Sequence, residues 1–212
     1  MRSEIVASPM TAKRVPVPGS FAARCIEFRR LLVAVALCTL AACSQEQPVS
    51  TEDKAIFLRA GDLERFNIRY ENVEAYETFT KTKHFDGTHE ITYQFGTPET
   101  EVDNPLFIYI SVSIARRAAD ALIAQKASKL GLSIGFGTED TEERELSASL
   151  PYGDEARLAL LVKSGNPIGN TFSMRDGSKT YLLVMSGLYF SDPELFKEVM
   201  GPKLERFASY EP

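Results

Sequence analysis

No stretch of this sequence is apolar for long enough to cross a bilayer. The run from Leu31 to Leu40 is about 10 residues, against the roughly 20 that a helix needs to traverse the hydrocarbon layer. Cysteine is confined to Cys25, Cys38 and Cys43, so residues 44–212 hold none. No disulfide can form within them, and their stability has to come from a packed core. Histidine occurs only at His84 and His89. The stretch "HEITY" lacks the second histidine of a zinc-protease helix, no Gly-x-Ser-x-Gly elbow occurs, and the acidic run "TEDTEERE" does not have the spacing of a calcium loop. "GLSIGFGT" lacks the Lys-Ser/Thr pair of a phosphate loop and follows a helical pattern rather than a strand. No catalytic residue, cofactor site or metal site is therefore assigned from the sequence.

What is present is the composition of a folded domain, with 44% hydrophobic and 25% charged residues over 212 positions. The net charge of -5 conceals an asymmetry. Ahead of Cys43, Arg2, Lys13, Arg14, Arg24, Arg29 and Arg30 outnumber Glu4 and Glu27, which leaves the rest of the chain at -9. A body of that sign repels phosphates, which disfavours nucleic acid, and no nucleic-acid partner is expected.

Arg29 and Arg30 followed by the short apolar run form the charged-then-apolar order of a secretory signal. The run ends in Leu40-Ala41-Ala42-Cys43 and then switches abruptly to "SQEQPVSTEDK". These residues resemble the lipobox of bacterial lipoprotein precursors. The resemblance implies that the Cys43 sulfur receives a diacylglyceryl group, that a peptidase cuts just before Cys43, and that the new amino group is acylated. A thiolate is well suited to accept a lipid by displacement, and two or three chains, at about 0.8 kcal/mol per buried methylene, hold a domain at the bilayer. Ser44 stands where an aspartate would imply retention in the inner membrane. The resemblance thus implies the inner leaflet of the outer membrane, with the domain facing the periplasm. Residues 1–42 read as a signal peptide with an over-long N-terminal extension, since "MRSEIVASPMTAKRVPVPGS" carries an acid and three prolines. A twin-arginine signal is the other reading of Arg29-Arg30, but the flanking residues depart from that pattern.

Residues 43–54 read as the lipidated cysteine and a flexible tether, polar and without apolar periodicity. Fully extended, it would reach about 35 Å. Residues 55–212 read as one domain. Ile56, Phe57, Ala60, Leu63 and Phe66 approximate helical spacing. Asp86-Gly87 signals a two-residue hairpin turn that pairs His84 with His89, Lys83 with Glu90, Thr82 with Ile91 and Thr80 with Tyr93, and puts Tyr76, Ile91, Tyr93 and Phe95 on one face. "PLFIYISVSIA" reads as a buried strand. A helix is expected from about Arg116 to Leu130, with Ala119, Leu122, Ile123, Ala127 and Leu130 as its apolar stripe and Gly131 as its stop. The acidic run reads as a solvated loop, and "RELSASL", "EARLALLVK", "NTFSMR" and "TYLLVMSGLYF" as strands, the last two joined at Asp176-Gly177. The apolar run Leu182–Met185 suggests a strand covered on both faces. A last helix starts either as a Ser191/Glu194 capping box or as an Asp192 cap with Pro193 behind it, and Gly201-Pro202 should kink or divide it.

The order helix, three strands, helix, four strands, helix predicts an α+β domain whose mainly antiparallel sheet of about six to seven strands has helices packed on it. This order is similar to the PsbP and Mog1 type of sandwich. His84 and His89, facing each other across the hairpin, would be two candidate metal ligands in need of a third, and hairpin-tip imidazoles in solvent are the plainer reading. Arg116 and Arg117 could clamp an anion, and a surface pair at a helix start is the plainer reading. The function expected is a non-enzymatic lipoprotein, held to the membrane through Cys43, that binds an envelope protein partner or serves envelope assembly, and that shows an exposed apolar patch or strand edge and no deep polar pocket. The rival expectation is a lipid-tethered hydrolase or a small-molecule or metal binder, which needs a concave polar site.

Overall fold

A computed structural model of the protein describes residues 44–66, 73–97, 105–136, 141–147 and 150–212. The leader and Cys43 lie outside the described residues. The strands are β1 (Gln45–Glu46), β2 (Glu77–Lys83), β3 (His89–Gly96), β4 (Phe107–Ile114), β5 (Thr141–Ser147), β6 (Glu155–Lys163), β7 (Asn166–Asp176) and β8 (Lys179–Ser186). They form one open antiparallel sheet in the order β1-β2-β3-β4-β8-β7-β6-β5. The helices are α1 (Thr51–Ala55), α2 (Val73–Tyr76), α3 (Ala118–Phe136) and α4 (Pro193–Ser209), with a 3-10 turn over Ala60–Phe66. The α+β class holds. None of the helices among the described residues is long and apolar enough to cross a membrane.

Alternation decides which face of the sheet is core. In β3, Ile91, Tyr93 and Phe95 are fully buried, while Glu90, Thr92 and Gln94 point the other way. Ile108, Ile110 and Val112 of β4 and Tyr181, Leu183 and Met185 of β8 continue the same face. Helix α4 closes it with Phe196, Val199, Met200, Leu204 and Phe207. Phe196 packs on Phe172 at 5.1 Å between ring centroids, and Phe207 meets Tyr181 edge-on at 5.4 Å. Each such side chain, fully buried, contributes about 1.5–3 kcal/mol. On the opposite face Leu161 and Val184 form a smaller cluster with Tyr109, Ile168 and Leu182, so β8 is covered on both sides, as its apolar run implied.

Several sequence expectations need correction. The sheet has eight strands rather than six to seven, because Gln45–Glu46 of the expected tether adds β1 to the edge of β2. The far end of that tether is helical. Ser50 and Asp53 form a capping box at the start of α1, and Asp53 is 1% exposed. Polarity alone concealed this, because the buried polar group is one whose partners come from elsewhere in the chain.

The expected first helix is two pieces. Ile56, Phe57, Ala60 and Leu63 are all buried, but the chain breaks between α1 and the 3-10 turn, where the Arg59 N–H donates to Asp62 at 2.8 Å. Part of the acidic run is strand β5, not loop, because Arg157 satisfies both Glu143 and Glu145, at 3.0 and 2.9 Å. A charged edge strand of this kind resists pairing with other chains. Helix α4 starts at the Asp192 cap, whose carboxylate accepts the Glu194 N–H at 2.9 Å, with Pro193 in the first turn. It runs on through Pro202 to Ser209 without dividing. Its buried face on the sheet outweighs the hydrogen bond that a proline cannot make.

Candidate functional site

Helix α3 lies on the second face of the sheet, where β3, β4, β7 and β8 present Glu90, Ser111, Ser113, Ser173 and Thr180. It does so with the face opposite to the expected stripe. Ala121 and Gln125, one turn apart, are buried, whereas Ala119 and Ala127 are exposed, Leu122 is 36% exposed and Ile123 is 67% exposed. Small residues at the contact let the helix approach a floor of short hydroxyl side chains, and burying leucine and isoleucine against that floor would cover hydroxyls with hydrocarbon. The helix also passes through Gly131 to Phe136, so the glycines of "GLSIGFGT" up to that point are helical. Leu130 lies among residues whose side chains are outside the description.

Between α3 and the floor is a pocket of about 150 Å³ lined by Glu90, Ser111, Ser113, Gln125, Ser173 and Thr180. Gln125 is 4% exposed, and its Nε2 has no hydrogen-bond partner among the described residues. Tyr109, on the same face of β4, has its hydroxyl pushed up to about 12 by burial and by the Glu90 charge, against one hydrogen bond with Ser111.

The histidine pair departs from its expected register. Lys83 pairs with His89, Thr82 with Glu90 and Phe79 with Tyr93, one residue off the expected set. The tip holds three residues, Phe85, Asp86 and Gly87, with the Gly87 N–H donating to His84 O at 2.9 Å and the His84 N–H donating to Thr88 O at 2.8 Å. Gly87, at φ 83°, is the extra left-handed residue of a type I turn with a bulge. The core assignment of Ile91, Tyr93 and Phe95 survives, with Tyr76 packed against it. His84 and His89 are no longer directly opposite. His84 Nε2 instead lies 3.1 Å from Glu90, which also accepts from Ser111 at 3.4 Å. Burial first, then the charges of Lys83, Lys81 and His84, hold His89 below the ordinary histidine range. Among the described residues no three His, Cys, Asp or Glu side chains gather as metal ligands. Arg116 and Arg117 are exposed just before α3, as expected of a surface pair.

The N-terminal segment is strapped to the sheet by Asp53. Its carboxylate accepts from Lys81 Nζ at 3.0 and 3.2 Å, from the Ser50 N–H at 2.6 Å and from the Tyr210 hydroxyl. Burial alone would raise this carboxyl, but the bonds from Tyr210, Ser50 and Lys81 outweigh it and hold it below the usual range. Gln47 N–H adds a bond to Lys81 O at 2.8 Å.

The residues missed by sequence reasoning are thus Gln125 and Asp53, buried polar groups, and the outward-facing Leu122 and Ile123. A polar residue at helical spacing between two alanines was the available signal for the true buried face. No protein-family model matches this chain, and none of the curated proteins matches it.

Proposed function

We propose that this chain is a lipid-anchored envelope protein, modified at Cys43, that faces the periplasm from the inner leaflet of the outer membrane and works by binding a protein partner. The anchor rests on Leu40-Ala41-Ala42-Cys43 behind Arg29-Arg30 and a short apolar run. The partner-binding role rests on one observation: α3 turns Leu122 and Ile123 outward, and an apolar helix face left in water is the kind of surface that a second protein covers.

A photoreactive residue at position 123 in the native envelope tests it. A discrete protein adduct, lost in a chain that also carries Leu122→Lys but still melts as wild type, is the expected result. Equal labelling of bulk envelope protein, unaffected by Leu122→Lys, would reject the reading.

A second reading, a small-molecule binder, is favoured by the buried unpartnered amide of Gln125 over a hydroxyl-lined pocket. Its measurement is chemical-shift perturbation at Gln125, Ser111 and Thr180 with small polyols and amides, and a flat response removes it.

A further inference from the structure

We propose that the β2–β3 hairpin tip sits in the headgroup layer of the bilayer that holds Cys43, with Phe85 inserted among the lipids and Lys83, Arg116 and Arg117 facing anionic phosphates. The inference rests on the lipid-anchor reading and gives that anchored domain an orientation.

The register of the first two strands carries it. Gln45 pairs with Lys83 and Glu46 with Thr82, antiparallel. The chain running back from Gln45 toward Cys43 and the chain running on from Lys83 toward Phe85 therefore head the same way. Only Ser44 separates Cys43 from the first paired residue, so covalent geometry keeps Cys43 within about 7 Å of Gln45. With the tether bound along the sheet edge, the domain cannot stand off by the full length of a flexible leash. The surface that takes the acyl chains lies beside this tip.

The tip has the chemistry such a surface recognises. Phe85 is 86% exposed, the most exposed large apolar side chain among the described residues. The turn needs a glycine at Gly87 but nothing aromatic at Phe85. Lys83 is exposed next to it in β2. The pairing of Ile114 with His89 brings the end of β4, and with it Arg116 and Arg117, to the same end of the sheet. The Arg116 stem lies over the turn, so close that a Cβ on Gly87 would come within 2.7 Å of its Cδ. Three cations thus lie at the same end of the sheet as one exposed apolar side chain, the pattern of an interfacial contact with an anionic leaflet. The acids nearby are Asp86, which accepts the Thr88 N–H at 2.8 Å, Glu46 on β1, Glu90, which is engaged by His84, and Asp120 in the first turn of α3, whose N–H donates to Arg117 O at 3.1 Å.

The chain contains no tryptophan, so Phe85→Trp supplies a single reporter at a position where the fold asks for no particular side chain. The processed full chain carrying F85W is reconstituted in vesicles of phosphatidylethanolamine with phosphatidylglycerol, and mass spectrometry establishes the state of Cys43 in the same preparation. The expected result is blue-shifted emission, quenched by lipids brominated on their acyl chains, and weakened when Arg116 and Arg117 are both changed to serine. A lipidated Cys43 with emission of a fully hydrated, unquenched indole would overturn the proposal and leave the anchor reading standing. Emission that shifts only when envelope proteins are added would assign the tip to a protein and overturn it as well. An unmodified Cys43 would remove both.

Discussion

The hydroxyl of Tyr210 donates to the buried carboxylate of Asp53, which ties the end of the fold to the segment that leads in from Cys43. Lys81 on β2 completes the arrangement, reaching both groups. An ionised, buried carboxylate is stable only while these donors surround it.

Asp53→Asn should therefore cost about 2–3 kcal/mol, because it removes the charge that Lys81 and Tyr210 face while Lys81 still reaches some solvent. Urea melts of the two proteins check the magnitude. The same carboxyl sets an acid limit. Its folded pKa is depressed, so its contribution is present above the ordinary aspartate value and is lost as pH falls through the lower folded one. A melt series below pH 4, flattened in the Asn variant, is the expected signature, with about 3.9 as the unfolded reference.

His89 has a linkage of the same sign in a higher pH window. Its folded pKa lies below the ordinary value because protonation would place a charge in a half-buried site near Lys83 and Lys81. The unfolded chain then binds a proton from about pH 6.5 downward while the native one does not. Stability should fall as pH drops below about 6.5, and level off once the folded group also protonates. His89→Gln should remove that slope in thermal melts, and an unchanged slope would place its origin elsewhere.

Asn170, fully buried, fixes the segment between β8 and α4. Its amide donates to Ala159 O at 3.2 Å and to Phe190 O at 3.0 Å, and accepts the Phe190 N–H at 2.6 Å. Asn170→Ala should cost about 2–4 kcal/mol, since it removes three buried hydrogen bonds to the backbone. Amide exchange at Phe190 should quicken in the variant, which separates loss of this latch from general loosening.

At Gly169 two strands approach too closely for a side chain. A Cβ there would sit 1.9 Å from Met185 O, and β6 shifts register beside it, between Leu161 and Val162. Gly169→Ala should lower stability by about 1–3 kcal/mol or more, the range for overpacking against a backbone that cannot move aside. The denaturation midpoint reads this directly.

Much of the sheet was legible because alternation in a strand is a local property. Ile91, Tyr93 and Phe95 were placed on one face without any knowledge of their partners, and that placement survived a one-residue error in the hairpin register. The error came from Gly87, since Asp-Gly fits both a two-residue turn and a three-residue turn with a bulge, and local sequence does not separate them. Helix α3 shows the opposite case. Its residues announce a helix, but the side that faces the protein was chosen by the hydroxyl floor of β4, β7 and β8, which a helical pattern cannot foresee.

The sequence by itself determined the α+β class, the buried alternation of β3 and the start of α4 to within one residue, because each depends on residues within a few positions of one another. Only the tertiary structure decided that Asp53 is buried, that the expected tether lies along β2, and that Leu122 and Ile123 face outward. Those depend on Lys81, Tyr210 and the sheet surface, groups brought together by long-range packing whose free energy no local window contains.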